Sequence, residues 1–373
     1  MGSKRRSQKP KAYYWIISLT TIMVLFGLIM ITSASHIIAI FKHKDALYFF
    51  ERQTLYAIVG AFLFWMTARI DYRKLRALTW PIVAVTTLLL VVLFIPQVGH
   101  TSGGASRWIP LYIINLQPSE IAKLAAIMLT VYLLTEQDGS DFELINFLPF
   151  IVVLVIVGLI LAEPDLGTAV LIVVSIFIVL FIRGIKLRFL TLFSSFGLSA
   201  TMGLVLLEPY RFRRLIAFLN PQKYAKEGGF QITQSLIAMG SGGITGVGLA
   251  MSKQKFFFLP AAHTDFILAI IGEELGWLGV IGTVIAFALL AIVGFSIAYN
   301  ASDNYGKLLA VGLTVLLTFQ AMVNMGAVVG IMPITGVPLP LISFGGSSLL
   351  VTMTSLGIIT SISSHSTRRR RRR

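Results

Sequence analysis

The stretch FILAIIGEELGWLGVIGTVIAFALLAIVGFSIA, residues 266–298, decides the fold of this chain. It is apolar or small almost throughout, and it is longer than the roughly 20 residues that a helix needs to cross a bilayer. It therefore predicts a transmembrane helix that tilts strongly or projects beyond the membrane. Glu273 and Glu274 interrupt it a little more than two turns after Asp265, and carboxylates in such a helix require an explanation.

The whole chain has the composition of an integral membrane protein. Of its 373 residues, 56% are hydrophobic and 13% are charged, and the mean hydropathy is +0.84. Soluble domains usually have about one quarter charged residues. The apolar runs are continuous rather than alternating, which favours helices over a transmembrane barrel.

The fold class predicted from these runs is an all-α polytopic membrane protein of about ten helices. A large extracytoplasmic loop, 208–265, separates helices 7 and 8. Basic tails, 1–13 and 363–373, flank the membrane domain, 14–362. The predicted spans are 14–35, 53–68, 79–96, 119–135, 147–162, 167–183, 189–207, 266–298, 307–331 and 343–362.

The net charge of +15 belongs largely to the two ends of the chain. Five basic residues precede the first span and six arginines, Arg368 to Arg373, end the chain, which together are eleven of the 31. Basic flanks hold the ends of spans in the cytoplasm and against anionic lipid, so this charge does not indicate nucleic-acid binding. Both termini are predicted to be cytoplasmic. With no cysteine, no disulfide staples an outer loop.

Two outer segments have unusual composition. Residues 97–118 are rich in glycine and serine, and the loop 208–265 is far longer than most connections. Its centre, FQITQSLIAMGSGGITGVGLAMS, is apolar but contains many glycines. Irregular backbone is excluded from lipid unless protein covers it, so this centre is expected to be re-entrant or interfacial and packed against other helices.

The first polar cluster is QPSEIAKLA, residues 117–125. Pro118 suits the first position of a helix, and Glu120 then favours the helix dipole. Lys123 shares a helix face with Glu120, so the two can form an intrahelical ion pair. An outward-facing lysine could equally hold a phosphate, and both interpretations fit.

Two further stretches contain charged residues at the predicted outer ends of spans. In AEPDLGTAV, residues 162–170, Glu163 and Asp165 are typical of a turn that leads into a helix. In EPYRFRRLIAFLNP, residues 208–221, an arginine cluster fits a diphosphate or lipid headgroups about equally well, and two later lysines could add to it. These basic residues are Arg211, Arg213, Arg214, Lys253 and Lys255.

Asp265 lies where the long loop becomes a helix, in the stretch FLPAAHTDFILAI. An ionised aspartate beside an apolar wall can act as a general base on a hydroxyl. The residue could also be a plain helix cap, and the residues alone favour the cap. Glu274, deeper in the helix, is expected to be paired within the bundle.

The stretch PITGVPLPLISFGGSS, residues 333–348, predicts a broken, close-packed turn before the last span. Gln320 and Asn324, at positions i and i+4, add polar contacts between helices at this end. The sequence shows no zinc, P-loop or dinucleotide fingerprint.

Taken together, these stretches resemble the SEDS family of shape, elongation, division and sporulation proteins, which includes FtsW and RodA. The matching pieces run in family order over most of the chain, and they look nearer to the division branch, FtsW. They are SRWIPLYIINLQPSEIAKLA, EPDLGTA, YRFRRLIAFLNP, GFQITQSLIAMGSGGITGVGL, FLPAAHTDFILAIIGEELGWLG and GVPLPLISFGGSS. One departure is Ala261, where many members have a glutamate, so this chain lacks any role that carboxylate has.

The resemblance implies a peptidoglycan glycosyltransferase of the bacterial cytoplasmic membrane with an outward-facing site. Its substrate would be lipid II, its by-product undecaprenyl diphosphate, and its partner a class B penicillin-binding protein within the division or elongation machinery. Asp265 would be the catalytic base. The residues expected to bind substrate and diphosphate, with or without magnesium or manganese, are Arg107, Trp108, Glu120, Lys123, Arg211, Arg213, Arg214, Lys253, Lys255, His263 and Thr264.

Two other classes of function fit a chain of about ten spans. A transporter that flips lipid II would place charged groups at mid-membrane depth, whereas here they lie mainly at predicted outer ends. A division scaffold without catalysis would tolerate loss of Asp265. An elongation role of the RodA type is the alternative within the family.

Overall fold

The computed structural model describes residues 10–95, 100–102, 105–111, 114–136, 149–192 and 229–370, with isolated positions between 195 and 224. Helices dominate these ranges, and three short strands form one sheet. The helices are α1 (Lys11–His43), α2 (Tyr48–Arg69), α3 (Leu75–Val92), α4 (Pro118–Glu136), α5 (Ile151–Ala162), α6 (Leu166–Arg183), α7 (Gly229–Ser241), α8 (Ile267–Tyr299), α9 (Asn304–Val328) and α10 (Gly346–Arg370). The strands are β1 (His100–Ser102), β2 (Ala105–Leu111) and β3 (Ile114–Leu116).

Seven of the described helices are long and apolar enough to cross a membrane, and each coincides with a predicted span. They are α1, α3, α4, α6, α8, α9 and α10. The predicted spans 53–68 and 147–162 correspond to α2, which has 22 residues but is less apolar, and to α5, which has 12. The predicted span 189–207 lies mostly outside the described residues.

The centre of the bundle is formed by α4, α9 and α10. Along their most apolar stretches α4 and α10 are 83% buried, whereas the corresponding stretch before and within α3 is 28% buried. A helix that is apolar on every side but largely uncovered by protein must face lipid. Glu120 and Lys123 of α4 therefore lie in the protein interior, whereas Glu136 at its end is exposed.

The segment 100–116 contains a small antiparallel sheet in the order β1-β2-β3. The sequence did not predict this sheet. Its strands are short and lie in a segment rich in glycine and serine, so they show no clear alternation of apolar and polar residues. It carries Arg107 and Trp108 on β2. The Ser347 hydroxyl accepts from the Gln117 amide and donates to the Asn115 carbonyl, which fixes the end of the sheet to the start of α10.

Helix α8 is interrupted at Gly276, whose φ of 65° and ψ of −163° are not helical. In an unbroken helix the amides of residues 277 and 278 would bond the carbonyls of residues 273 and 274. Here the Trp277 and Leu278 amides donate to the carbonyls of Gly243 and Ile244 instead. The helix is thus open to another segment at this point.

That segment, residues 242–248, is called the inserted turn. The Val247 and Gly248 amides donate to the freed carbonyls of Glu273 and Glu274 at 2.9 and 3.1 Å. The inserted turn therefore replaces both helical bonds that the break removes, so no backbone group of residues 273, 274, 277 and 278 loses its partner. The predicted protein cover over the glycine-rich centre of the long loop is confirmed by these contacts.

Gly276→Ala is expected to destabilise the protein by about 3 kcal/mol. A Cβ at this position would collide with Gly246 and Ile244 of the inserted turn, and φ is in the left-handed region. Gly282→Ala in the same helix is the control, because nothing lies within 4 Å of its added methyl group. Thermal unfolding in detergent measures both. Equal unfolding temperatures for the two variants would contradict the inserted turn.

Candidate functional site

Asp265 lies just before α8, whose N-cap position is Phe266, one residue later than the sequence predicted. The Asp265 side chain is half-buried and its Oδ2 atom lies near Gly336, where an added Cβ would stand 3.9 Å away. The carboxylate therefore lies beside the turn that precedes α10.

The main chain at Asp265 is fixed by Asn324 of α9. The Asn324 amide donates to the carbonyl of Asp265 and to the carbonyl of Val337, each at 2.8 Å. One turn earlier, Gln320 donates to the carbonyl of Pro338 at 2.9 Å. The predicted polar contacts of these two residues are confirmed, and they join the entry of α8 to the turn before α10.

The two loops that meet at Asp265 are also bonded to each other. The Ser343 hydroxyl donates to the Thr264 carbonyl at 2.6 Å, and the Phe344 amide donates to the His263 carbonyl at 2.9 Å. Gln53 of α2 donates to the Ser343 carbonyl at 3.2 Å. Residues 263 and 264 are therefore held by Ser343 and Phe344, and residue 265 by Asn324.

Glu120 and Lys123 form the predicted intrahelical ion pair on α4. The Lys123 Nζ atom lies 2.8 Å from Glu120 Oε2 and donates to Gln320 Oε1 at 2.7 Å. Both residues are 2% exposed. Lys123 thus orients Gln320, and through Gln320 it supports the turn beside Asp265. Direct contact of Lys123 with a phosphate stays a prediction.

Asp165 caps α6, as its position after a turn indicates. Its carboxylate accepts from the Thr168 amide at 3.2 Å, from the Ser119 hydroxyl at 3.2 Å and from the Gln117 side chain at 3.5 Å. The next turn of α6 packs closely on the segment before α10, since a Cβ on Gly167 would lie 3.0 Å from Thr335. Asp165 therefore joins the starts of α4 and α6 to the same polar region.

Glu163 is buried in the turn between α5 and α6, and both of its carboxylate oxygens lack a hydrogen-bond partner within the described part of the chain. Burial is the main cause that raises the pKa of this group to about 8, and the charge of Asp165 adds to it while Arg107 opposes it. The Arg107 guanidinium donates to the main-chain carbonyls of Glu163 and Pro164 and not to the carboxylate. Glu163 is therefore a neutral acid at pH 7.

Three more residues that the sequence predicted to bind substrate are Trp108, His263 and Thr264. Trp108 follows Arg107 on β2 and is partly exposed. His263 lies 4.5 Å from the Phe49 ring and 5.8 Å from the Phe344 ring, and burial together with the charge of Lys42 lowers its pKa to about 4. The Thr264 hydroxyl donates to the Ala261 carbonyl at 3.2 Å. His263 is therefore uncharged at pH 7 and offers no positive charge to a phosphate.

The two lysines of the long loop differ in environment. Lys253 is exposed, whereas Lys255 is buried and lies 3.2 Å from Glu274. Glu274 also accepts from the Ser33 hydroxyl of α1 at 2.7 Å, which confirms that it is paired within the bundle. Lys253 is consequently the better placed of the two lysines for a soluble or lipid anion.

Glu273 binds the loop through its side chain. Its carboxylate accepts from the Lys253 amide at 2.9 Å and from the Ser252 hydroxyl at 2.5 Å. The two glutamates that interrupt α8 therefore hold residues 252–255 against the helix. This answers the question raised by the sequence, since both carboxylates have several donors each.

Arg211, Arg213 and Arg214 lie outside the described residues. Within the ranges that are described, no group of three or more His, Cys, Asp or Glu side chains could hold a metal ion.

The site as a whole combines a half-buried carboxylate, a buried cation and an arginine at one end of the bundle. Asp265 can accept a proton from a hydroxyl placed beside Gly336. Sequence reasoning missed Gly336, Ser119, Gln117 and Ser343 as parts of this region, because their roles depend on contacts between distant segments. For Glu163 the sequence did contain a signal of an unusual environment, because this carboxyl group lies two residues before the aspartate that caps α6.

Comparisons with known proteins agree with this arrangement. A family model described as "Cell cycle protein", for FtsW, RodA and SpoVE, matches residues 13–368. The chain is 43% identical over 350 residues to a probable peptidoglycan glycosyltransferase FtsW of Geobacter metallireducens, with 93% of each chain covered.

Two solved structures share its fold. One, described as the structural coordination of polymerization and crosslinking by a peptidoglycan synthase complex, matches with a TM-score of 0.77 at 28% identity and covers 95% of this chain and 98% of that one. The rod shape determining protein RodA of Thermus thermophilus matches with a TM-score of 0.69 at 27% identity and covers 96% and 97%.

Proposed function

The chain belongs to the FtsW, RodA and SpoVE family and is a peptidoglycan glycosyltransferase, and we propose that Asp265 is the general base of its reaction. The single observation that carries this assignment is the half-buried Asp265 carboxylate beside Gly336, on a main chain that Asn324 holds. A base of this kind must have a fixed position and open space for the hydroxyl that it deprotonates.

The substrate of the proposed reaction is lipid II, a disaccharide-pentapeptide on undecaprenyl diphosphate. Asp265 takes the proton of the 4-hydroxyl on one sugar while that oxygen attacks the anomeric carbon of another. The new carbon–oxygen bond forms as the bond from the anomeric carbon to the diphosphate breaks, and the lipid diphosphate leaves with the electron pair.

The leaving diphosphate requires positive charge. We assign this role to Arg107 and Lys253 and to the cluster Arg211, Arg213 and Arg214. Lys123 is assigned instead to holding Gln320, because its ammonium already contacts Glu120 and Gln320. A divalent cation, where one takes part, would bind the diphosphate oxygens, which are hard ligands of the kind that magnesium prefers.

The proposed setting is the bacterial cytoplasmic membrane, with both termini inside and Asp265 outside. The basic tails support this orientation. A division role is proposed because the FtsW relative is 43% identical, whereas the RodA structure is 27% identical. The proposed partner is a class B penicillin-binding protein, supported by the likeness to a synthase complex described by polymerization and crosslinking.

The direct test is polymerisation of lipid II by the purified full chain, with and without the co-purified partner. Long glycan strands, resolved by gel electrophoresis, are the expected product, with the larger yield in the presence of the partner. Movement of lipid II between the leaflets of liposomes without any strand formation would support the transporter instead.

Asn324→Asp is expected to lower kcat by about ten- to a hundredfold with little change in KM. The replacement has the same shape, but its carboxylate repels the Asp265 and Val337 carbonyls that the amide binds. Gln53→Glu is the control, because Gln53 binds the same loop at Ser343, away from Asp265. Equal losses of kcat in the two variants would show that Asn324 supports only the loop.

A further inference from the structure

The turn between α5 and α6 contains features that the proposed reaction does not use. Glu163 is 3% exposed and neither of its carboxyl oxygens has a partner among the described residues. A buried polar group without a partner costs free energy, and native proteins rarely keep one without a reason. The unpartnered carboxyl therefore points to a group that is bound only at another stage of the protein's work.

The two carboxyl groups of this turn have opposite environments. Asp165 accepts hydrogen bonds from the Thr168 amide, the Ser119 hydroxyl and the Gln117 side chain. The Glu163 carboxyl, two residues earlier, has no such donor among the described residues. Burial and the charge of Asp165 raise the pKa of Glu163 to about 8, so Glu163 keeps its proton at pH 7.

Arg107 supplies a positive charge beside Glu163 and forms no ion pair within the described part of the chain. Its Nε and Nη2 atoms bind the neutral carbonyls of Glu163 and Pro164. Bonds from a guanidinium to an ionised acceptor are roughly twice as strong as bonds between neutral groups, so an incoming anion could replace these carbonyls. The charged side chains near Glu163 are then Arg107 from β2 and Asp165 from α6, while Glu120 and Lys123 of α4 neutralise each other.

We propose that Glu163 and Arg107 form an anion subsite in which the protonated Glu163 carboxyl donates a hydrogen bond to a phosphoryl oxygen and Arg107 neutralises its charge. The proposal rests on the glycosyltransferase function, which supplies a lipid diphosphate as ligand. A carboxylate at position 163 would repel such a ligand, whereas a carboxylic acid donates to it. Binding requires Arg107 to exchange the carbonyls of Glu163 and Pro164 for the phosphoryl oxygens.

Affinity for farnesyl diphosphate tests the subsite, with the full chain in maltoside micelles that contain no phosphate. Calorimetry at pH 7 and pH 9 should show about tenfold weaker binding to the wild type at pH 9. The protonated fraction of a carboxyl group whose pKa is about 8 falls by about tenfold between these pH values. In Glu163→Gln, which keeps a donor but cannot ionise, the ratio of the two affinities should stay near one. Glu163→Ala should bind weakly at both pH values.

Two outcomes overturn the proposal. One is a pH dependence in Glu163→Gln equal to that of the wild type, and the other is unchanged affinity in Glu163→Ala when thermal unfolding shows that it is folded. Native mass spectrometry with phosphatidylglycerol is the second arm. If the protein retains phosphatidylglycerol in a manner that depends on Glu163, but does not retain farnesyl diphosphate, the subsite binds the phosphate of bilayer lipids. That result would overturn the lipid diphosphate as its ligand.

Asp265→Asn separates this proposal from the catalytic one. The variant should bind farnesyl diphosphate as the wild type does, because Asp265 is not part of the subsite. Polymerisation that depends on Asp265, together with binding that does not depend on Glu163, would refute the subsite and leave the proposed function standing.

Discussion

Asp265→Asn is expected to lower the rate of lipid II polymerisation by about 10²- to 10⁴-fold, the usual contribution of a general base. Asparagine has nearly the same shape but cannot accept a proton from the sugar hydroxyl. The fold should be retained, because Asn324 holds residue 265 through its main-chain carbonyl and asparagine keeps the shape of the aspartate. The measurement is strand formation by the purified full chain with its partner.

The controls for this variant separate chemistry from structure. Its thermal unfolding and its recovery with the partner should match the wild type. Asp265→Glu keeps the carboxylate but displaces it by one methylene group toward Gly336, so it should retain a small part of the activity. Polymerisation by Asp265→Asn at the wild-type rate would refute the base assignment.

Lys255→Met is expected to destabilise the protein by about 3–5 kcal/mol, the usual cost of removing one partner of a buried ion pair. The Lys255 side chain is 6% exposed and that of Glu274 is fully buried. Without the lysine, the Glu274 carboxylate keeps only hydrogen bonds to neutral groups such as the Ser33 hydroxyl. The loop around residue 255 should then loosen from α8 and become more accessible to proteases, while Glu273 still binds Ser252 and Lys253.

Lys253→Met provides a matched control, because this lysine is two residues away and exposed. Its side chain should be replaceable with little change in unfolding temperature. The double variant Lys255→Met with Glu274→Gln should recover part of the lost stability, since it removes the unpaired charge. A single Lys255→Met variant as stable as Lys253→Met would show that the pair does not stabilise the fold.

The sequence predicted the membrane helices well because their signal is local. Each span is predicted from the length of its own apolar run, and the ion pair between Glu120 and Lys123 is predicted from their spacing on one helix. The capping role of Asp165 was also readable from its neighbours, as the turn precedes the helix that it caps. These features need no knowledge of the rest of the chain.

The features that sequence reasoning missed depend on distant segments. The inserted turn meets α8 more than twenty residues later in the chain, and nothing in the glycine pattern specifies which carbonyls it binds. The nearest neighbours of Asp265 favour a helix cap, and its position beside Gly336 arises only when the turn before α10 folds over it. Likewise, the missing partners of Glu163 can be seen only once its surroundings are known.

The inserted turn limits how the length of the segment between α7 and α8 can vary. Surface loops usually tolerate added or deleted residues, since their backbone is solvated. Here, residues 243, 244, 247 and 248 complete the hydrogen bonding of a helix, so a shift of one position would leave four peptide groups of α8 without partners. An epitope tag or fluorescent label should therefore be placed elsewhere, because the spacing of this turn is set by the helix into which it fits.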